Sequence, residues 1–284
     1  MLSEINLRQK RGLGNIISDS FNYLRFHFKS LFKILLFVCG PILLLGGILL
    51  GISYSNLFKN MDFNSAASPI TSGFGLGLLI SFVIIGLGVL ALNGIITEYM
   101  KVSLIKSRTE ITFNDVISGF KQRFWKYFLA MIIVVIILFV SMFFFILPMI
   151  WLGIVFSLIF FIIGVENTGS FESIGRCFKL VKGYWWRTFG LHFLMGLIQT
   201  GLTYAFILPV YIIGAALMFS SEDPMLLAEN LPIVMMIFMP FIILIGSLSY
   251  SLSSIASGIN YFSIVEVKEE IGLKERIEKI ETEN

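Results

Sequence analysis

The chain has 284 residues, 57% of them hydrophobic and 14% charged, with a net charge of +3 and a mean hydropathy of +0.89. Charged residues make up about a quarter of an ordinary soluble domain, so a soluble enzyme fold is excluded and an all-α integral membrane bundle is expected. The small positive balance is spread over segments that flank apolar runs, where anionic headgroups are the nearest partner; a nucleic-acid partner is therefore not expected.

The N-terminal 33 residues carry six basic residues and an amphipathic stretch, "SDSFNYLRFHFKSLFKILLF" from 18. Ile17, Phe21, Leu24, Phe28 and Leu31 recur at helical spacing, with Asn22, Arg25, Lys29 and Lys33 opposite. No Asp, Glu, Lys or Arg follows from 34 to 58, 63 to 97, 127 to 165, 188 to 221 or 230 to 265, and about 20 apolar residues suffice for one crossing. The run from 127 to 165 is long enough, at about 1.5 Å per residue, for two crossings that turn near Pro148. Six spans are thus predicted at 34–53, 74–96, 127–147, 149–165, 188–215 and 231–262. The first span is expected to remain in the protein, because some 30 polar and amphipathic residues precede it without a clear cleavage site after it.

With six spans both termini share a side, and 20 of the 21 Lys and Arg residues lie on that side, Lys59 alone being opposite. By the positive-inside rule that face is cytoplasmic. Cys39 in the first span and Cys177 on the basic face cannot meet in an oxidising compartment.

Two further stretches share the plan of the first, "TFNDVISGFKQRFWKYFLAM" from 112 and "SFESIGRCFKLVKGYWWRTFG" from 170. Each begins at Thr or Ser, with Thr112 and Ser170 as predicted N-caps. Each then runs amphipathically, turns basic and aromatic, and leads into a span. One membrane domain over 1–284 is expected, built from three parallel repeats of interfacial helix plus hairpin (15–111, 112–169, 170–263) and a tail, 264–284. Membrane-surface contact is assigned to Arg25, Lys29, Lys33, Lys121, Trp125, Lys126, Arg176, Lys179, Lys182, Trp185, Trp186 and Arg187. Their cationic heads would meet anionic lipid, and their rings the headgroup depth.

Span 6 carries "GSLSYSLSSIASGIN", with Ser247, Ser251, Ser254 and Gly258 on one helical face. Small residues at this spacing, like Gly47 with Gly51 and Gly73 with Gly77, serve close helix packing. The rival reading is a polar cavity between spans 2, 5 and 6, lined by Asn93, His192, Gln199, Thr203, Ser247, Ser251 and Ser254. His192 reads as a hydrogen-bonded bundle residue with a proton-relay role as the alternative. Pro41, Pro209 and Pro240 fall inside spans. The glycine-rich "SGFGLGLL" from 72 opens a span and lacks the strand and Lys-Ser or Lys-Thr pair of a phosphate loop. The sequence contains no HExxH, CxxC or aspartate-rich cluster, and no cofactor or metal is expected. In the tail, Glu270 with Lys274 and Glu275 with Lys279 suggest a solvated helix folded back on the interfacial helices or a docking site.

At "VENTGSFESIGRCFKLVKGYWWRTFGL", residues 165–191, the sequence resembles a family of bacterial six-span membrane proteins. These are related to the membrane domain of some glycerophosphodiester phosphodiesterases and to YciC-like inner-membrane proteins. The matching residues are Glu166, the run Phe178, Leu180, Val181, Lys182 and Gly183, and Trp186, Arg187, Thr188 and Phe189; Ser173 and Cys177 depart from the pattern. The resemblance implies a helical bundle in the bacterial inner (plasma) membrane and no phosphodiesterase activity. The functional expectation is a non-enzymatic accessory or scaffold component with a membrane-protein partner, and the alternative a transporter or lipid-handling protein.

Overall fold

The computed structural model describes residues 5–59, 74–144, 146–220, 224–270 and 274. Among them are eight helices and no strand: α1 Leu13–Lys59, α2 Phe74–Val102, α3 Phe113–Phe144, α4 Ile146–Phe156, α5 Ile159–Glu166, α6 Ser170–Val181, α7 Trp185–Ser220 and α8 Pro224–Glu269. Six stretches are long and apolar enough to cross a membrane, Leu13–Asn56, Gly75–Val102, Phe113–Phe144, Ile146–Glu166, Trp185–Leu208 and Met236–Glu269. The all-α six-span architecture expected from the charge-free runs is the one observed.

The amphipathic stretches from 18 and from 112 are not separate helices, as the repeat plan had them; each runs unbroken into its span, in α1 and α3. The reason is local. Neither Gly nor Pro interrupts 18–39 or 120–144, so nothing stops the helix where polar residues give way to apolar ones. Only the third stretch forms a helix of its own, α6. Behind it Gly183 adopts φ +86° and the Tyr184 amide donates to the Val181 carbonyl at 2.8 Å, a left-handed turn that suits glycine.

At the helix ends one predicted N-cap holds and the other shifts by a residue. Thr112 caps α3 as predicted, in a reciprocal box: the Asp115 amide donates to Thr112 Oγ1 at 3.3 Å and the Thr112 amide to Asp115 Oδ2 at 3.0 Å. Ser170, by contrast, is the first residue of α6; Gly169 occupies the N-cap, and Ser170 Oγ donates to the Lys126 carbonyl at 2.8 Å. Pro148, near which the hairpin is expected to turn, sits in the first turn of α4, where no helical N–H is lost. The fourth span is broken between α4 and α5 at Ser157. There the hydroxyl donates to the Ile154 carbonyl at 2.8 Å and competes with the helical ladder.

The chain divides into two compact units, residues 1–34, 93–197 and 251–284, and residues 35–92 with 198–250. The second unit is close-packed through glycine. A Cβ on Gly47 would lie 2.5 Å from Pro240 Cα, one on Gly46 2.7 Å from Ile85 Cγ1, and one on Gly88 2.6 Å from Leu43 Cδ2. Side chains at those positions would hold the backbones apart, which is how small residues serve membrane helices. Gly77 approaches Ser53 in the same way, whereas Gly73 and most of the tail, including Glu275 and Lys279, lie outside the described residues. The described start of the tail continues α8, and Lys268 Nζ donates to the Lys179 and Lys182 carbonyls at the end of α6, at 2.6 and 2.9 Å.

Candidate functional site

The first unit gathers most of the charged groups. Its main feature is a pair of glutamate clasps where the second and fourth spans end. Glu98, near the end of α2, is 2% exposed, and both its carboxylate oxygens accept from Arg123 Nη1 of α3, at 3.1 and 3.0 Å. Tyr127, one helical turn further along α3, donates its hydroxyl to Glu98 Oε1 at 2.8 Å. The neighbouring Gly119 and Gly94 admit this contact: a Cβ at Gly119 would stand 2.5 Å from Glu98 Oε2, and one at Gly94 2.5 Å from the Phe120 ring. A carboxylate this buried needs hydrogen-bond donors, and Arg123 and Tyr127 make three contacts to it.

The second clasp repeats the chemistry. Glu166, the last residue of α5, receives Arg176 Nε at 2.9 Å and Nη2 at 3.1 Å, while Tyr261 of α8 donates to its Oε1 at 2.9 Å. Arg176 also reaches Glu269. Burial opposes the charge on Arg176, but the two carboxylates outweigh it and hold the guanidinium pKa above its ordinary value. The adjacent Cys177 thiol is pushed up by burial and then by the Glu166 charge, so it is a neutral packing residue.

Cations close the end of α5. Lys101 Nζ donates to the Gly164 carbonyl at 2.7 Å, Lys126 Nζ to the Asn167 carbonyl at 3.0 Å, and Arg123 Nε to Asn167 Oδ1 at 3.2 Å. Asn167 caps the helix in the left-handed conformation, φ 57°. The arrangement places positive charge at the negative end of the helix dipole.

Eight of the twelve residues assigned to the membrane surface are exposed: Arg25, Lys29, Lys33, Lys121, Trp125, Lys179, Lys182 and Trp186. The other four have internal partners instead. Lys126 and Arg176 serve the helix end and the clasp just described. Arg187 donates to Asn260 Oδ1 at 2.9 Å and to the Arg11 carbonyl at 3.3 Å, and lies over the Tyr184 ring. Trp185 donates to the Trp151 carbonyl at 3.3 Å and stacks on Phe189. An amphipathic stripe tells which side of a helix is polar; it does not tell whether that side meets water, headgroups or another helix's carboxylate.

The seven residues proposed for a cavity divide between the units. Gln199, Thr203 and Ser247 fall in the second unit; Asn93, His192, Ser251 and Ser254 fall in the first. In the first unit the stripe is packed. Ser254, 1% exposed, donates to Asn93 Oδ1 at 2.9 Å, and a Cβ on Gly258 would stand 2.6 Å from both Met100 Sδ and the Phe161 ring. His192 is bonded at both nitrogens, Nδ1 donating to the Thr188 carbonyl at 2.9 Å and Nε2 facing Ser257 Oγ at 3.1 Å. His27 pairs with Tyr99 at 2.9 Å. Among the described residues no three His, Cys, Asp or Glu side chains are placed to hold a metal ion.

Of the clasp carboxylates, Glu98 was not singled out by sequence and Glu166 only as a residue of the family resemblance, although a signal for both exists. The first charge after each of the runs 63–97, 127–165 and 230–265 is a glutamate: Glu98, Glu166 and Glu266. These are the ends of the second, fourth and sixth spans. The third of them lines a cavity of about 320 Å³ with Arg8, Glu166, Arg176, Tyr261 and Glu269.

Six apolar helices whose charges collect at their ends define a polytopic α-helical membrane protein. No family model, no curated protein and no solved structure matches the chain.

Proposed function

We propose that this membrane protein is a non-enzymatic accessory or scaffold component of a membrane assembly, in a bacterial inner membrane with both termini in the cytoplasm. The observation that carries the reading is the engagement of the clasp carboxylates and of His192 with other side chains and backbone, Arg187 Nε being a buried side-chain nitrogen that has no hydrogen-bond partner among the described residues. Glu98 and Glu166 are each held by an arginine and a tyrosine, and His192 is bonded at both ring nitrogens. Catalysis and proton relay need groups that exchange partners during turnover; these are committed to holding helices together. The cytoplasmic placement rests on 20 of 21 basic residues lying on one side of six spans.

The apolar faces are where the reading can be tested. α3 exposes Val135, Ile136, Phe139, Val140 and Phe143, and α7 exposes Phe193, Leu197, Tyr204 and Phe206. Lipid or a neighbouring membrane helix covers such faces equally well. A photo-crosslinking residue at Phe139, and another at Phe206, tests the reading in intact membranes. A scaffold gives a discrete protein adduct from at least one position. Lipid adducts alone from both would contradict it and return attention to the transport or lipid-handling alternative.

A further inference from the structure

The cations of the first unit differ in what they hold. Arg11, Lys106, Arg123 and Arg176 each grip a carboxylate, and Lys101, Lys126, Arg187 and Lys268 donate to carbonyl or amide oxygens. Arg25, Lys29 and Lys33 of α1 and Arg108 of the loop between α2 and α3 do neither: among the described residues none of the four is bonded to an acceptor. The three on α1 are exposed, and Arg108 is half-buried.

These four share one side of α1. Arg108 lies over the Phe26 ring, 5.2 Å from its centroid; Lys29 is three residues beyond Phe26 and Lys33 seven, so both leave the helix on the side of that ring. Arg25 stands one turn before Lys29. Like charges at i, i+4 repel, and the carboxylates nearby are engaged elsewhere. Asp19 holds Arg11 at 2.7 Å, Asp115 holds Lys106 at 2.9 Å, and Glu110 accepts from the Ser107 amide at 3.2 Å. Packing also fixes the depth of this basic stripe. The Tyr99 hydroxyl meets His27 Nδ1 at 2.9 Å and Ser30 Oγ at 2.5 Å, which sets the turn from Phe26 to Ser30 level with the residue after Glu98, the first charge following the uncharged run 63–97. Lys33 is in turn the last charge before the run 34–58. Both markers put the stripe where hydrocarbon gives way to headgroups. Phe28, exposed and stacked on Phe32 at 5.0 Å, suits the same boundary.

From this juxtaposition we infer that Arg108 and Lys29 clamp the phosphate of an anionic phospholipid, with Arg25 and Lys33 to either side favouring a headgroup of net negative charge. The guanidinium and the ammonium both offer N–H donors to phosphate oxygens. A zwitterionic headgroup brings an ammonium of its own among four cations and is disfavoured. The depth of the stripe makes the occupant a lipid rather than a soluble anion.

The full-length protein in nanodiscs holding equal phosphatidylglycerol and phosphatidylethanolamine of identical chains would be ejected into a native mass spectrometer and the retained lipids counted. The wild-type protein keeps phosphatidylglycerol preferentially. Arg108→Gln and, separately, Lys29→Gln lower that preference about fivefold, the attraction of one basic residue near the surface. Lys121→Gln removes the same charge from an exposed position on α3 and leaves the preference unchanged. Neither Arg108 nor Lys29 is hydrogen-bonded among the described residues, so both variants should fold, which thermal unfolding checks. Equal retention of the two lipids by the wild-type protein would overturn the inference whatever the variants do. That holds even where inorganic phosphate binds the protein in detergent in an Arg108-dependent way, because the occupant would then be a soluble anion. A preference that Lys121→Gln lowers as much as Arg108→Gln would overturn the discrete site and leave only diffuse attraction.

Discussion

Removing Arg123 tests whether the buried clasp holds the first unit together. Glu98 is 2% exposed as a side chain and Arg123 12%, and one guanidinium nitrogen serves both carboxylate oxygens. Arg123→Ala therefore leaves a buried carboxylate with only Tyr127 as a strong donor, a change that costs about 3–5 kcal/mol when a buried pair is broken. It also strips Asn167 Oδ1 of a donor at the end of α5. Tyr127→Phe removes one hydrogen bond to a charged group and should cost about 1.5–3 kcal/mol. The informative comparison is the double variant Glu98→Met with Arg123→Met, which removes both charges; apolar replacement of a buried pair ranges from neutral to stabilising by about 1–4 kcal/mol. Reversible unfolding in mixed micelles gives all three values. An Arg123→Ala loss under about 1 kcal/mol, or a double variant as damaged as the single, would refute the assignment of Glu98 as a buried, charge-dependent clasp.

Other expectations concern packing and helix ends. Gly47→Ala directs a methyl against the Pro240 backbone, which cannot rotate away, and should lose about 1–3 kcal/mol by overpacking, whereas Gly14→Ala, with open space around it, should be neutral or stabilising; thermal unfolding of the two variants side by side measures the difference. Thr112→Ala removes the side-chain half of the α3 capping box and should cost about 1 kcal/mol, with Thr112→Ser close to wild type. Cys177, whose thiol is held above its ordinary pKa by burial and the Glu166 charge, should resist maleimide at pH 8 in the folded protein and react once denatured. The discriminating quantity is the absolute rate, because the thiolate is the nucleophile and burial disfavours it; labelling of the folded protein as fast as that of the denatured chain would contradict the buried placement.

The spans were legible because a charge inside about 30 Å of hydrocarbon is expensive, so charge-free runs mark crossings without knowledge of any contact. The Thr112 cap was legible for a similar reason, being a local pattern completed within one helical turn. The clasps were not. Glu98 and Arg123 are 25 residues apart and Glu166 and Tyr261 are 95 apart, and only folding shows that the polar side of α3 or α6 turns toward a carboxylate. Arg176 and Arg187 look like headgroup-binding residues on a helical projection for that reason. The serine stripe of α8 could not be decided by spacing either, since a packed seam and a polar wall need the same small residues. Met100 and Phe161 against Gly258 give the seam in the first unit.

The accessory role is tested most directly by native mass spectrometry of the full chain released from its own membrane in a lipid-retaining polymer. A scaffold component leaves as a complex heavier than its 32.1 kDa, with a second protein at a fixed ratio that survives Gln199→Ala and Ser251→Ala. Release as a lone chain, with transport or lipid transfer lost in those two variants, would contradict it.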